Sequence, residues 1–347
     1  MQTTGVGIIG YGLSGSTFHA PVIARTPGLR VAAIVSSQRQ KAAADWPDAK
    51  LYADVPALLR DPAVSLVIVC SPNALHYDHA RQALEAGRPV VVEKPFTVSL
   101  TEADALIELA ARRGLLLSVY HNRRWDGDFL TLRQLIDAGA LGVIQQYESR
   151  FDRFRPQVGS RWRELDQPGG GLLYDLGPHL VDQALLLFGP PDSVQADLAR
   201  QRLHAQVDDW FQLSLAWGER RALLSAGSLV REPGPRFLVQ GDQASFRSHG
   251  LDPQENALRS ATWPLAGRPE TVDQASWPTL TGGQDRLDRR PIQALPGDYG
   301  CFYRAILAAL AGREPNPVPA EAARLVMKLL DTARRSAQEG RRLPFTA

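Results

Sequence analysis

Cysteine is scarce in this chain. Cys70 and Cys301 are the only two among its 347 residues, and two thiols cannot build the disulfide framework of a small secreted domain. Cys70 falls within an apolar run, which favours a buried core thiol. We therefore expect a protein of a reducing compartment, with the cytoplasm as its location.

Long apolar runs are also missing. No uninterrupted apolar stretch approaches the roughly 20 residues that span a bilayer, and the N-terminus shows no basic region followed by an apolar run and a cleavage site. The formal net charge is only +2, and no basic block exceeds a pair or triplet. These absences argue against a membrane protein and against a dedicated nucleic-acid binder.

The length of the chain and its apolar content of 44% are enough for two domains with sizeable cores. In the first third, short apolar runs alternate with amphipathic segments, which predicts an α/β fold with a doubly wound parallel sheet at residues 1–120. The predicted strands are 6–9, 31–35, 66–70, 90–93 and 115–119, and the predicted helices are 16–25, 55–59, 73–86 and 100–113.

The pattern changes after Arg124. Strands joined by short turns indicate a large, mostly antiparallel sheet, so residues 121–347 are expected to form a C-terminal α+β domain. Residues 251–296 are rich in Pro, Gly, Asp and Gln and predict long loops. The predicted helices are 129–138, 299–310 and 320–338, together with a helical pattern that Gly169–Gly171 opens and that ends at Gly189. The predicted strands are 143–154, 194–202, 210–217, 222–230 and 237–240.

A glycine-rich stretch, GVGIIGYGLSG, opens the chain. An apolar run precedes glycines at the spacing G-x-G-x-x-G, and a helical pattern follows, as in a turn that binds a dinucleotide. Gly10 allows the tight turn, Gly12 lets a pyrophosphate approach the backbone, and Gly15 lets the helix pack against the strand. Three glycines can also mark no more than a turn.

The end of the second predicted strand bears on which cofactor binds. An acidic residue about 20 positions past the glycines usually holds the ribose 2′-hydroxyl of NAD. Here the chain reads Ser36, Ser37, Gln38, Arg39, with no carboxylate. Two hydroxyls and a guanidinium suit the 2′-phosphate of NADP. A solvated loop also fits these residues, so NAD use stays open.

A lysine, Lys94, stands at the end of the predicted strand 90–93. In VVVEKP, Lys94 stands at the C-terminal end of a predicted sheet strand, where side chains of doubly wound folds face the ligand crevice. There it can polarise or protonate an oxygen, although a surface lysine also fits the position. Pro95 fixes the backbone directly after it.

Asp175 and His179 lie four residues apart in GGGLLYDLGPH and would share one helical face. An imidazole with a pKa of about 6.5 suits proton transfer at neutral pH, and a carboxylate can orient it. Pro178 is expected in the first turn of the helix, or else to kink it. An ordinary side-chain pair fits as well. Because no third ligand stands at metal-site spacing, we expect no metal.

Five motifs together resemble the Gfo/Idh/MocA family of nicotinamide-dependent oxidoreductases: GYGLSG, SPN followed by His76, EKP, HNRRW and GGGLLYDLGPH. The resemblance covers essentially the whole chain, and EKP with the later D-x-G-x-H is specific in combination. It implies a Rossmann domain joined to a large, mostly antiparallel sheet domain. GLSGSTFHAP and GLDPQENAL further resemble the subgroup that contains bacterial NADP-dependent scyllo-inositol dehydrogenases.

The resemblance implies hydride transfer between NADP and a secondary alcohol or ketone of a cyclitol or sugar. Two alternatives stay open: an NAD-using sugar-modifying enzyme with redox-assisted elimination or hydrolysis, and a non-catalytic NADP-sensing regulator. It also implies a homo-oligomer formed through the open face of the sheet. The expected catalytic residues are Lys94, Asp175 and His179. The expected cofactor-binding residues are Gly10, Gly12, Leu13, Ser14, Gly15, Ser36, Ser37, Arg39, Ser71, Asn73, His76, Glu93 and Lys94. The expected substrate-binding residues are Asn122, Arg124, Trp162, Asp175 and His179.

Overall fold

The computed structural model describes residues 3–159, 162–167, 169–260, 276–283 and 286–347, with only the backbone of Trp162. Contacts divide the chain into two compact units. The first unit takes the described residues 3–125, 253–260 and 298–324, and the second takes the others. The chain therefore returns to the first unit twice. The two domains expected from the sequence, residues 1–120 and 121–347, stay a prediction.

The first unit contains a six-stranded parallel sheet in the order β3-β2-β1-β4-β5-β6. Its central strands consist of buried Val, Ile and Leu, as strands covered on both faces require. The predicted doubly wound sheet is confirmed, and the order reverses between β1 and β4, where ligands of such folds bind. The strands are β1 (Thr4–Ile9), β2 (Leu29–Val35), β3 (Lys50–Tyr52), β4 (Leu66–Val69), β5 (Val90–Val92) and β6 (Leu117–Val119).

The helices of the first unit follow the predicted pattern with three differences. A π-helical turn, Ser14–His19, precedes the first α-helix. Residues 39–45, for which no element was predicted, form a helix, and residues 73–75 form a separate 3₁₀ turn. The helices are α1 (Ala20–Arg25), α2 (Arg39–Asp45), α3 (Val55–Leu59), α4 (His76–Glu85) and α5 (Leu100–Arg113), with α8 (Gln254–Arg259) and α9 (Gly300–Leu310) from the later segments.

In its described residues, the second unit contains a nine-stranded sheet whose one parallel pair is formed by Ile144–Arg150 (β7) and Arg220–Gly227 (β10). The predicted large, mostly antiparallel sheet is therefore confirmed. Helices α6 (Gly127–Asp137) and α7 (Leu172–Phe188) share one apolar core with the sheet. Its strands are β7 (Ile144–Arg150), β8 (Ser193–Ala199), β9 (Trp210–Trp217), β10 (Arg220–Gly227), β11 (Phe237–Gly241), β12 (Ser245–Ser248), β13 (Thr279–Gly282), β14 (Asp288–Pro291) and β15 (Leu343–Pro344).

One expectation about the later chain is wrong, and Pro178 does not take the first of the two positions expected for it. Residues 251–296 were expected as loops, but their described part holds α8, β13 and β14; residues 261–275 and 284–285 lie outside the described residues. Pro178 lies inside α7 rather than in its first turn. That helix buries Leu173, Leu176 and Leu180, and tertiary packing of this kind outweighs the hydrogen bond that a proline removes.

The last long helix, α10 (Ala320–Glu339), confirms the closing helix expected at 320–338. No helix in the described part of the chain is long and apolar enough to cross a bilayer.

The three motif glycines occupy different surroundings. Gly10 has a φ of +100°, which side chains rarely adopt. A Cβ at position 15 would lie 2.3 Å from the carbonyl oxygen of Gly10, whereas a Cβ at position 12 would meet nothing within 4 Å. Gly15 is therefore required by the packing of the turn, and Gly12 leaves its outer side open.

We expect Gly15→Ala to lower the melting temperature, because its Cβ forces backbone atoms apart at a cost of about 1–3 kcal/mol. Gly12→Ala is the matched control and should melt with the wild type, since its Cβ enters open space. Thermal unfolding followed by circular dichroism measures both. Equal melting temperatures for the two variants would contradict this account of the turn.

Candidate active site

The turn after β1 exposes the backbone at Gly12 and the side chain of Leu13, which is 43% accessible. Behind it, the Cys70 thiol donates to the carbonyl oxygen of Gly10, 3.0 Å away. Burial raises the pKa of the Cys70 thiol, and the nearby Glu93 carboxylate adds to that effect. Cys70 is therefore a neutral packing group, as its apolar surroundings in the sequence predicted.

The segment after β4 carries Ser71, Asn73 and His76. The side-chain nitrogen of Asn73 is buried and has no hydrogen-bond partner among the described residues. The two ring nitrogens of His76 lie 2.9 Å from the carbonyl oxygen of Pro95 and 3.0 Å from that of Ser71. Burial lowers the pKa of His76, although the carbonyl oxygens and Glu93 oppose the shift. The ring thus fastens the segment after β4 to the segment after β5.

These features fit a bound dinucleotide. A buried amide nitrogen without a partner costs free energy that a ligand acceptor can recover. The open side of Gly12 leaves room for a pyrophosphate to contact the backbone. Both lie at the carboxyl ends of β1 and β4, the strands at which the sheet order reverses.

The cations beside β2 point in different directions. The guanidinium of exposed Arg39 donates to the carbonyl oxygens of Tyr52 at 2.8 Å and Leu51 at 3.3 Å, on the β3 side. The amine of Lys41 lies 3.1 Å from the Ser16 hydroxyl, beside the glycine turn, and 5.7 Å from the centre of the Tyr11 ring.

The Ser36 hydroxyl accepts the Gln38 amide at 2.9 Å, and Ser37 is exposed. No carboxylate stands between residues 36 and 41. The end of β2 therefore offers hydroxyls and cations, and no group that would repel a phosphate.

Glu93, directly before Lys94, collects donors from two segments. One carboxylate oxygen accepts the Ser14 hydroxyl and lies 3.1 Å from Nε2 of His19; the other accepts the Lys94 amide at 2.8 Å. Burial raises the pKa of Glu93, but the hydrogen bond and charge of His19, the Ser14 hydroxyl and the Lys94 charge outweigh it and lower that pKa to about 2. Glu93 is therefore a carboxylate at neutral pH.

The motif HNRRW forms a short turn, Asn122–Trp125. Asn122 is buried, and Arg124 donates to the carbonyl oxygen of Pro317 at 3.1 Å. Arg123 pairs with Glu255 at 2.7 Å. Arg123 is therefore held in a structural ion pair.

In the second unit, Asp208 caps the start of α7. Its side chain accepts the Leu173 amide at 2.7 Å, and its carbonyl oxygen accepts the Leu172 amide at 2.8 Å. Gly171, the residue before the helix, has a φ of +99°, and a Cβ there would lie 2.1 Å from the Asp208 carboxylate. The glycines of GGGLLYDLGPH therefore let the capping carboxylate approach the helix.

Asp175 lies in the first turn of α7 between two arginines. Its carboxylate is 3.3 Å from Arg163 and 3.6 Å from Arg153. Its side chain is 14% exposed, so the ion pairs are partly shielded from water. The guanidinium of Arg153 also stacks on Phe151, 4.9 Å from the ring centre.

One turn further along α7, His179 is buried. Its ring stacks on Phe151 with centroids 6.4 Å apart and an angle of 26° between the planes. Phe151 follows β7, so the same segment supports both members of the predicted pair. The backbone of Trp162 lies in a short turn, Trp162–Glu164, and its side chain is outside the described residues.

Sequence reasoning assigned no role to Lys41, Arg153, Arg163 or Asp208. For the two arginines, charge could have indicated the contact, because the basic segments FDRFR and RWRE precede the motif that carries Asp175. Among the residues that the structure describes, no group of three His, Cys, Asp or Glu side chains is placed to hold a metal ion.

Comparison with known proteins extends these observations. Residues 4–121 match the family model described as "Oxidoreductase family, NAD-binding Rossmann fold". Residues 133–345 match "Oxidoreductase family, C-terminal alpha/beta domain". Both are domains of Gfo/Idh/MocA proteins.

Relatives cover almost the full length of the chain. It is 44% identical over 341 residues to the uncharacterized oxidoreductase YdgJ of Escherichia coli, covering 96% of each protein. It is 39% identical over 346 residues to the scyllo-inositol 2-dehydrogenase (NADP(+)) IolW of Bacillus subtilis, covering 98% of this chain and 96% of that one. The solved structure of the oxidoreductase yvaA from Bacillus subtilis matches with a TM-score of 0.96 and 38% identity, covering 99% of both chains.

The predicted family and enzyme class are confirmed by these matches. The chain belongs to the Gfo/Idh/MocA oxidoreductase family and is an NAD(P)-dependent dehydrogenase.

Proposed function

We propose that this dehydrogenase transfers a hydride reversibly between NADP and a secondary alcohol of a cyclitol or sugar, with scyllo-inositol as the model substrate. The substrate class is supported by the full-length similarity to an enzyme named for scyllo-inositol and NADP. The structural observation that carries the cofactor choice is the end of β2, which offers hydroxyls and cations where NAD enzymes usually place an acid.

Lys41 is the better candidate than Arg39 for the cation that meets the 2′-phosphate. The two residues are two positions apart on α2, so they leave the helix about 200° apart. The Arg39 guanidinium occupies carbonyl oxygens on the β3 side, whereas the Lys41 amine reaches Ser16 beside the glycine turn. In this fold the pyrophosphate binds at the turn after β1 and the 2′-phosphate beside the end of β2, so a cation that faces the glycine turn is better placed to reach the cofactor.

Lys41→Ala should reduce the ratio of kcat/KM for NADP to that for NAD by about tenfold or more, the value of one charge-assisted hydrogen bond. Arg39→Ala is the matched control, an exposed cation on the same helix, and should change the ratio far less. Binding of 2′,5′-ADP and 5′-AMP, measured by calorimetry, gives the same comparison without turnover. A ratio that falls in Arg39→Ala and not in Lys41→Ala would assign the phosphate to Arg39, as the sequence alone suggested.

The proposed chemistry divides among three side chains. When bound, the nicotinamide supplies the hydride-transfer chemistry, and the chain supplies proton transfer and charge stabilisation. A ring nitrogen of His179 accepts the proton of the substrate hydroxyl as the carbonyl forms. The Lys94 amine donates a hydrogen bond to that oxygen, on which negative charge develops.

Asp175 is proposed to bind substrate hydroxyls or to orient the His179 ring. The ion pairs with Arg153 and Arg163 restrict its carboxylate, because a carboxylate held between two guanidiniums loses most of its freedom to turn. Asp175, His179 and Arg153 belong to the second unit, and Lys94 belongs to the first.

A panel of inositols and aldoses with NADP and NAD, followed at the nicotinamide absorbance, tests the proposal. Reduction of NADP by scyllo-inositol or a related polyol is the expected result. Conversion of a sugar without net reduction of added cofactor would favour redox-assisted elimination or hydrolysis. Cofactor binding without turnover of any panel member would favour a sensing role.

His179→Asn should lower kcat by about 10²–10⁴-fold, the usual contribution of a positioned proton acceptor. NADPH affinity and melting temperature should stay close to wild type, because the proposed role lies at the substrate. Lys94→Ala should likewise lower kcat more than cofactor affinity. Near wild-type turnover in either variant would remove that residue from the chemistry.

Arg163→Gln tests whether its ion pair with Asp175 matters for the reaction. We expect a higher KM for the polyol with unchanged NADPH affinity, since the carboxylate loses one of its two restraints. Asp175→Asn should raise the same KM further. An unchanged KM in both variants would leave the cluster a structural ion pair of α7.

A further inference from the structure

The helix that follows the glycine turn starts with an unusual geometry. Residues Ser14–His19 form a π-helical turn, in which the Ala20 amide donates to the carbonyl oxygen of Gly15, five residues back. On an α-helix, residues five apart are about 140° apart around the axis. A π-helical turn widens the helix and brings such residues towards one face. Ser14 and His19, the two ends of this turn, are five apart.

These two residues bind the same atom. The Ser14 hydroxyl donates to Oε1 of Glu93, and Nε2 of His19 lies 3.1 Å from that oxygen. A carboxylate oxygen only accepts, so Nε2 carries the proton. The other oxygen, Oε2, accepts the Lys94 amide. One carboxylate therefore links the phosphate-binding turn after β1 to the end of β5.

The far side of the His19 ring is also held. Nδ1 lies 2.5 Å from the hydroxyl of Tyr303 on α9, and the ring packs on Tyr120 with centroids 4.4 Å apart. His19 and Tyr303 are fully buried, so neither can exchange these partners for water. The imidazole is thus fixed in position and directed at Glu93.

We propose that His19, held by Tyr303, is a positioning residue for cofactor binding and for Lys94. By donating to Oε1 it fixes the carboxylate whose other oxygen holds the Lys94 backbone, and with Ser14 it ties the phosphate-binding turn to that strand end. The π-helical turn is the device that lets both donors reach one oxygen. This inference rests on the proposed hydride transfer, in which Lys94 acts on the substrate oxygen.

A purely structural role predicts something different. If His19 only filled space, any side chain of similar volume would serve, and cofactor affinity would follow stability. If it acts as a donor, the side-chain amide of a glutamine can replace Nε2, whereas a leucine cannot. Comparing a glutamine with a leucine at position 19 therefore separates a hydrogen-bonding role from a space-filling one.

The experiment compares His19→Gln, His19→Leu and Tyr303→Phe in the full-length protein, at a temperature where circular dichroism shows each folded. NADPH fluorescence gives the dissociation constant, and steady-state kinetics give kcat and KM. We expect His19→Leu to weaken NADPH binding and to lower kcat, each by roughly tenfold, as for loss of a hydrogen bond to a charged group. We expect His19→Gln to keep both within about threefold of wild type, by the same reasoning on the retained bond.

Tyr303→Phe removes only the hydroxyl behind the ring and does not touch Glu93. It should weaken NADPH binding by about two- to fivefold, since it loosens the donor without deleting it. This variant carries the test if His19→Leu fails to fold, and an unchanged dissociation constant would then overturn the proposal.

Wild-type affinity in His19→Leu, or equal losses in His19→Leu and His19→Gln, would also overturn the positioning role. Failure of the proposed function looks different: the wild type itself would then bind no NADPH or turn over no polyol. Wild-type binding and turnover with insensitive His19 variants would refute the positioning role alone.

Discussion

The carboxylate of Glu93 is the interaction on which the cofactor unit most depends. Its burial is unfavourable unless every lone pair finds a donor, and the donors come from separate segments of the chain. Satisfying this one group fixes the relation of the glycine turn to the strand that carries Lys94. Hydrogen bonds to one charged group thereby hold together two loops at the carboxyl ends of the parallel strands.

In the second unit, too, hydrogen bonds and ion pairs to carboxylates hold the segments of the site, and here two arginines surround one carboxylate. Asp208 accepts the backbone amides of Leu172 and Leu173 at the start of α7, and Asp175 in the first turn meets two guanidiniums. The helix that carries Asp175 and His179, two of the predicted substrate-binding residues, is thus anchored at its first turn by carboxylates. Pro178, which weakens the helix locally, lies after this anchored turn and within a buried apolar face. Because Leu176 and Leu180, before and after this proline, are both buried, His179 stays on a continuous helix.

The sequence predicted what local patterns encode. The spacing of Gly10, Gly12 and Gly15 predicted the turn. Gly10 adopts a φ that side chains rarely take, Gly15 packs against the Gly10 carbonyl oxygen, and Gly12 leaves its outer side open. The ends of α5 were predictable because Ser99 caps its start and Gly114 adopts the left-handed conformation at its end.

Features that depend on distant neighbours were not predictable. The short strands β3, β13 and β14 have little apolar pattern and exist because an adjacent strand pairs with them. The directions of Arg39 and Lys41 follow from a helix that the sequence analysis did not predict. The ion pairs of Asp175 join residues more than ten positions apart, and charge alone does not say which arginine meets which acid. Family membership and enzyme class were nevertheless recognisable from the motifs, while the residue roles stay predictions.

The late return of the chain to the first unit has a consequence for synthesis and recombination. The edge strand β6 is completed by residues 316–319: Asn316 donates to the Leu117 carbonyl oxygen, and Val119 donates to that of Val318. Tyr303, behind the His19 ring, arrives in the same late stretch. On the ribosome, the nucleotide-binding core therefore waits for almost the whole chain before its last strand edge is covered. A gene fusion cut at residue 120 would leave that edge open to pairing with other chains, so an exchange of cofactor modules between relatives has to carry the C-terminal segments along.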